Sequence, residues 1–544
     1  MKGVPMRTKF KLWIAGASLG LVVASFFAAA KPRADEQPIV RIHSGKVEGK
    51  FLESGVTAYL GVPYAAPPVR ELRWKDPQPV VHWNGTFHAD RFGPQCMQPQ
   101  RGLLTNQYSG AEITSEDCLY LNVWTAPTLK KAPVIVYVHG GGFFIGAASM
   151  PLYGGEVVAS EGAVFVNFNY RTGALGFMAH PALSAESPHK TSGNYGLLDQ
   201  VAALKWVRGN IAQFGGDPDN VTIVGQSAGS MSVLLLQASP LTKGLIHRAV
   251  GMSGGLGAGP GATPALAEAE NEGVKLQNYL KAADLGQLRA MPADRIVVPR
   301  TPDGPRISAN QDGYFLQDTA EGVFAAGKQN DVPLLLGFTQ DESFGGFGPV
   351  GGLEDYRAKV ASRFGDRAEA FLGLYPANTD EEAKSQARAA DRDGTTASGM
   401  ARWAEAQLQH GRGAVFTYQF SRAHTYTPGI SFTDLDPATA GAYHTSEVPF
   451  WLGTLDSFNR YRATRNWSAD DRAFSLMMTR SLVAFAKNGN PSTSDITWPA
   501  YDPQSPSLVD FGVSARVSAW PDRRKFEFFQ SAPRRTSSGG SLRD

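Results

Sequence analysis

The apolar positions change character along the chain. Before residue 119 they come in short stretches, at 39–42, 46–51 and 57–62, separated by Gly and Ser. That pattern predicts antiparallel strands joined by tight turns. Tyr64-Ala-Ala-Pro-Pro is a turn, because two prolines do not extend a sheet interior. From residue 119 the runs become continuously apolar and β-branched, at 119–125, 133–138, 164–170, 221–224, 246–252, 332–338 and 415–420. Between them, 198–214 carries helical spacing through Leu198, Val201, Leu204, Val207 and Ile211. Strands without polar alternation, interleaved with helices, predict an α/β protein with a large, mostly parallel sheet covered on both faces. Residues 254–330 and 350–412 read as helical insertions between core strands. No linker divides the chain, so 31–544 is expected to form one domain with insertions. The Ser/Gly/Arg-rich stretch 531–544 is expected to be disordered.

The N-terminus stands apart. Lys2, Arg7, Lys9 and Lys11 precede an uncharged run, 12–30, that ends in three alanines. This is the pattern of a signal peptide cleaved near Ala30, implying a secreted or periplasmic protein. The competing reading is an uncleaved anchor, since the run approaches spanning length. Residues 1–30 hold four of the 52 basic residues and no acidic one, so their removal turns the formal charge from +2 to −2. The basic balance therefore gives no case for nucleic acid, and no basic stripe interleaved with aromatics occurs elsewhere. Cys96 and Cys118 are the two cysteines. In an exported chain an even pair suggests a disulfide, and no Cys/His spacing suggests a metal site.

The chemistry gathers around Gly225-Gln226-Ser227-Ala228-Gly229, which lies between the run 221–224 and a helix-compatible stretch, 230–237. A strand–turn–helix context around G-x-S-x-G describes the nucleophile elbow of the α/β-hydrolase fold. The serine takes a strained backbone conformation, so its neighbours two positions away must be small. Upstream, His139-Gly140-Gly141-Gly142-Phe143 follows the run 133–138. Glycines let the backbone approach a substrate oxygen. The amides of Gly141 and Gly142, with that of Ala228, are the expected oxyanion donors. A serine hydroxyl needs a base, and the base an orienting acid. His247, His410, His424 and His444 all follow Ser227, and spacing alone does not choose among them. Asp341 and Glu342 follow the run 332–338 and are the candidate acids.

Taken together these residues resemble the type-B carboxylesterase/cholinesterase family, over nearly all of 38–530. Residues 214–229, Phe-Gly-Gly-Asp-Pro-Asp-Asn-Val-Thr-Ile-Val-Gly-Gln-Ser-Ala-Gly, look like its serine signature. Residues 116–122, Glu-Asp-Cys-Leu-Tyr-Leu-Asn, look like its second signature, with Cys118 matching a cysteine that is usually disulfide-bonded. Residues 59–68, 169–171 and 193–199 are similar to further landmarks. The resemblance implies an α/β-hydrolase fold and a carboxylic-ester hydrolase that needs no metal or organic cofactor. It also implies Glu342 as the acid, His444 as the base and Glu447 as a nearby structural carboxylate. There are departures. The family usually has Glu where Gln226 stands, so the charge network behind the serine is expected to differ. Where cholinesterases carry a Trp that faces quaternary ammonium, this chain has Tyr108, a weaker partner for a cation.

The expected reaction is acyl transfer through Ser227, with lipase, amidase and thioesterase specificities as neighbours. The rival is a non-catalytic binding protein of the same family, disfavoured because serine, acid, histidine and triple glycine are all retained. Phe143, Phe144, Phe344, Phe347, Phe450 and Trp451 suggest an apolar or aromatic small-molecule ester, ordinary core packing being the alternative for each.

Overall fold

The structure, a computed structural model, describes Met1, Gly3 and residues 37–530 apart from 108–112, 258–262, 299–300, 302 and 345. The proposed signal peptide, Tyr108 and the tail 531–544 lie outside the described residues. The described residues from Gln37 to Gln530 gather into one compact unit.

Its frame is an eleven-stranded sheet. In chain order the strands are β1 (Lys50–Phe51), β2 (Thr57–Pro63), β3 (Tyr120–Thr125), β4 (Ala132–Val138), β5 (Val164–Phe168), β6 (Gly216–Gln226), β7 (Arg248–Met252), β8 (Leu334–Thr339), β9 (Val415–Phe420), β10 (Ser507–Phe511) and β11 (Ala515–Ala519). Their spatial order is 11-10-9-8-7-6-4-5-3-2-1. From β5 across to β10 all neighbours run parallel. Antiparallel pairs close both edges. Alternation along a strand feeds two cores: Val134, Val136 and Val138 pack into one and Ile135 and Tyr137 into the other. Both faces being covered, the central strands are continuously apolar, which is why they were visible as runs.

Two readings of the pattern change. The stretch 46–51 is not one strand. Gly45–Glu48 joins a small three-stranded sheet with Ile39–Ile42 and Thr86–His88, and β1 joins the large one. The break falls at Gly49, where a side chain would meet the Ala58 carbonyl at 2.6 Å. The edge hairpin β10–β11 carried no clear signal, because β11 is largely exposed and lacks an apolar run.

The helix expected over 198–214 runs as α1 (Tyr195–Asn210) and finishes in a 3₁₀ turn, Ile211–Phe214. The nucleophile strand β6 is longer than the run that revealed it, with an irregularity between Gly216 and Val221. The insertions are helical, as the composition suggested, for example Leu266–Tyr279, Leu353–Phe364 and Asp380–Arg392. No helix among the described residues is long and apolar enough to cross a membrane.

Candidate active site

The site is built at the C-terminal ends of β4, β6 and β8. β6 ends at Gln226, and α2 (Ala228–Ala238) starts immediately after Ser227. Ser227 therefore makes the whole turn, at φ 60° and ψ −125°. A non-glycine residue rarely takes this backbone conformation, and it persists only where the surroundings enforce it. They do so here: the Ser227 amide donates to the Met252 carbonyl at 2.8 Å, and its own carbonyl accepts from the Met231 amide at 3.0 Å. The flanking glycines are obligatory on steric grounds. A Cβ on Gly225 would lie 2.2 Å from the Gly229 oxygen, and one on Gly229 would lie 2.1 Å from the Val138 oxygen.

The triple-glycine loop leaves β4 and wraps over the same point. A Cβ on Gly140 would come within 2.6 Å of the Gln226 carbonyl and 3.1 Å of the Ser227 Cβ. Gly141 and Gly142 both have positive φ, 107° and 64°. His139 anchors the loop from beneath. Its ring stacks on Tyr170 with centroids 4.2 Å apart, its Nδ1 lies 2.9 Å from the Gly140 carbonyl, and the Tyr170 hydroxyl donates to the His139 carbonyl. Burial pushes the His139 pKa down to about 4, so the ring is neutral at ordinary pH. Gly140 and Gly141 line the cleft together with Ser227. Gly142 and Ala228 adjoin them in sequence, and the Ala228 amide belongs to the first helical turn, whose N–H groups have no partner inside the helix.

Of the two candidate acids, Glu342 faces the histidine. Its Oε1 lies 3.3 Å from His444 Nδ1 and accepts from the Thr339 amide and hydroxyl at 3.2 and 2.9 Å. Asp341 instead accepts from the Ala442 amide at 2.8 Å and lies 3.8 Å from Arg388. The other histidines are employed elsewhere. His424 is buried against the Ser446 carbonyl, His247 accepts from the Val221 amide, and His410 ends the helix Ser398–His410. Burial works against the Glu342 anion, but the hydrogen bond and charge of His444, with the Ser253 and Thr396 hydroxyls, hold its carboxyl below the usual range. Burial likewise works against the imidazolium, and the hydrogen bond and charge of Glu342 outweigh it, raising His444. Glu447 is also buried. Desolvation and the nearby Glu342 charge push it up to about 8, and it accepts from the Ser253 hydroxyl at 3.2 Å.

Ser227 and His444 line one open cleft of about 1080 Å³. Among the described residues no hydrogen bond joins them; the buried Gln226 amide lies beside the ring instead, 3.2 Å from its Nε2.

The cleft walls are mixed: Ile145, Met150, Tyr153, Leu435 and Tyr443 line it beside polar residues. Gln98, Arg101, Asn106, Gln107 and Asp434 line one side, and Arg101 pairs with Asp434 at 2.6 Å. Phe143, Phe347, Phe450 and Trp451 are buried in the cores, where their area is worth most. Phe144 lines a separate apolar cavity with Leu175 and Ile307. Only Phe344 stands at the site, half exposed, its ring edge-to-face with His444 at 4.9 Å. The polar wall residues come from loops without periodicity, so no local signal marked them. Four of the five lie on or beside the segment closed by the disulfide, Cys96 to Cys118, which the structure contains.

Comparison with known proteins shows the family and the fold. The carboxylesterase family matches residues 36–529. The chain is 38% identical over 491 residues to the fumonisin B1 esterase of Sphingopyxis macrogoltabida, covering 88% of this chain and 87% of that protein. It is 36% identical over 511 residues to the para-nitrobenzyl esterase of Bacillus subtilis (strain 168), covering 90% of this chain and 97% of that one. Among solved structures, a PNB esterase superposes with a TM-score of 0.73 at 32% identity, over 90% of this chain and 99% of that one. A thermophilic PNB esterase superposes with a TM-score of 0.74 at 33% identity and the same coverage. An α/β-hydrolase sheet with a serine at its elbow, and relatives of this kind along almost the whole chain, make the protein a carboxylesterase of the carboxylesterase family.

Proposed function

We propose that this carboxylesterase works through a Ser227–His444–Glu342 triad and an acyl-enzyme. The observation that carries the reading is convergence. A serine forced to positive φ, a histidine raised by a buried carboxylate and a glycine loop all face one cleft. His444 Nε2 takes the proton of Ser227 Oγ as the oxygen attacks the ester carbonyl. Glu342 holds Nδ1–H and stabilises the imidazolium. The amides of Gly141, Gly142 and Ala228 receive the developing oxyanion. The proton passes from Nε2 to the leaving alcohol, and water, deprotonated by the same nitrogen, then releases the acid.

The substrate we propose is a small ester with polar groups beyond the reacting carbonyl, because Arg101, Asn106, Gln107 and Asp434 form a cleft wall. The names of the relatives, esterases of fumonisin B1 and of para-nitrobenzyl esters, supply the first compounds to try. The basic n-region and apolar run before residue 31 support export; the N-terminal sequence of protein recovered from a periplasmic fraction should begin near Lys31.

The deciding experiment uses a fluorophosphonate probe and p-nitrophenyl acetate. The wild-type protein should carry one adduct, on Ser227, and Ser227→Ala should lose at least about a thousandfold in kcat. Full turnover by Ser227→Ala, or an adduct elsewhere, would sink the assignment.

A further inference from the structure

The proposed base stands on a turn whose backbone is strained. The Ser446 amide donates to the Tyr443 carbonyl at 2.9 Å, which makes His444 and Thr445 the two middle residues of the turn. Thr445 has φ 85°. Glycine is the usual residue at such an angle, and a β-branched side chain there is an outlier. Strain of this kind persists only where the surroundings enforce it. The His444 side chain is 25% exposed to the cleft, so its place depends on the turn beneath it.

A second histidine lies under that turn. His424, just after β9, is 5% exposed. Its Nε2 lies 2.8 Å from the Ser446 carbonyl, which only accepts, so Nε2 carries the ring's proton. Nδ1 is then an acceptor. The Arg465 Nε–H donates to it at 3.1 Å, and the Tyr443 hydroxyl shares the same lone pair at 3.2 Å. Arg465 is itself buried, its guanidinium carbon 4.2 Å from the Tyr426 ring centroid and 4.6 Å from that of Phe458. Its Nη2 also reaches the Tyr443 hydroxyl, at 3.3 Å, and Asn106 Oδ1 on the cleft wall. Burial and the Arg465 charge push the His424 pKa down to about 3, so this ring stays neutral and keeps its acceptor while His444 gains and loses a proton.

Resting on the triad proposed above, we propose that His424 is the positioning residue of the base: backed by Arg465, it grips the turn on both sides of His444, at the Tyr443 hydroxyl and at the Ser446 carbonyl. Relaxing Thr445 would swing the chain on one side of it against the other. A rigid ring bonded to both sides resists that movement and keeps His444 aimed between Glu342 and Ser227. The task calls for a donor and an acceptor at fixed separation on one flat group, which a neutral imidazole supplies. Through Asn106 the same guanidinium also anchors the cleft wall, so the wall and the base are set by one buried cation.

The test is kcat and KM on p-nitrophenyl acetate for the wild type, His424→Gln, His424→Asn and His424→Phe. Here kcat is taken per Ser227 labelled by the fluorophosphonate, so that misfolded protein does not count. Glutamine offers a donor and an acceptor at the reach of the imidazole and should stay within about threefold of wild type. Asparagine still meets Arg465 but stops short of Ser446, and phenylalanine fills the space without hydrogen bonding. Each of these two should lose at least about tenfold in kcat, with KM little changed. Wild-type kcat in His424→Asn or His424→Phe, a loss carried by KM instead, or a His424→Gln variant as slow as His424→Asn overturns the proposal. If His424→Phe does not fold, the comparison of His424→Asn with His424→Gln decides. His444→Ala separates the two levels. If it keeps its turnover, the base assignment itself falls. If it is inactive while His424→Asn turns over as wild type, only the role of His424 falls.

Discussion

Residues at this site are held in states they would not choose in water, and Glu447 shows the cost. Its carboxyl is buried beside Glu342 and titrates at about 8, against 4.5 for an ordinary glutamate. The folded protein therefore keeps a proton that the unfolded chain releases. Between those two values the unfolded state binds fewer protons, so stability falls as pH rises. His444 acts with the same sign: raised in the fold, it adds stability below its ordinary value that is lost as pH climbs through the folded one. Glu342 has the opposite sign. Its depressed carboxyl adds stability above its ordinary value, lost only as pH falls through the folded one. Glu447→Gln removes the first effect while keeping an acceptor for Ser253. It should unfold at about the wild-type temperature at pH 4.5 and gain on the order of 2 kcal/mol over the wild type at pH 8. Thermal melts at the two pH values check this. An equal difference at both would mean that Glu447 is ionised in the folded protein. Glu447 and Gln226 share a logic: near a base paired with one carboxylate, the remaining buried neighbours are neutral.

The loop between Cys96 and Cys118 forms part of the cleft wall. It starts from the short strand Gln95–Cys96, which pairs with Thr114–Ser115, supplies Gln98, Arg101, Asn106 and Gln107 to the cleft wall, and ends just before β3. It contains few apolar anchors, and its ties to the body are polar: Arg101 and the Asn106 amide to Asp434, and Gln98 to the Gly146 backbone. Such contacts position a wall but add little stability each. The disulfide, closing a segment with sequence separation 22, supplies the restraint. Reducing it, or making Cys96→Ser with Cys118→Ser, should cost about 3 kcal/mol. The loss at the site should be selective, because Ser227, His444 and Glu342 stand on the sheet and its following turns. KM for a bulky polar ester should rise several-fold, while the rate of Ser227 labelling by a small fluorophosphonate stays near wild type. Equal damage to both would show that the loop supports the elbow as well as the wall.

Across the whole molecule, a buried ion pair joins parts of the chain that are distant in sequence. Arg171, just after β5, meets Asp199 on α1 with both side chains almost fully buried. Nε and Nη2 reach the two carboxylate oxygens at 2.8 and 2.7 Å, the Arg171 amide donates as well, and Nη1 reaches the Lys75 carbonyl. The pair ties 169–171 to 193–199, two of the three stretches that are similar to family landmarks. Removing one partner strands the other charge in the interior. Asp199→Asn should therefore destabilise the protein by about 3 kcal/mol in denaturant melts. A change below about 0.5 kcal/mol would show that water or another carboxylate reaches Arg171.

What the sequence determined by itself was whatever local physics dictates. Continuous apolar runs marked the parallel strands because those strands are buried on both faces. Gly225 and Gly229 marked the elbow because a Cβ at either position would collide with backbone. The choice among carboxylates and histidines was not local. Glu342 and His444 are 102 positions apart, and nothing in the spacing separates them from Asp341 or His424; only the resemblance pointed to them. Tertiary structure decided that question by turning Asp341 toward the Ala442 amide and burying His424 under Ser446. It also decided the character of the cleft. Most of the aromatic residues that read as a substrate pocket were drawn into the cores by their area, and a mixed set from unpatterned loops, Arg101 and Asn106 beside Met150 and Leu435, took the wall. Gln226 was visible as an anomaly in the sequence, but its place beside His444 exists only because β6 and the turn after Gly441 converge in the fold.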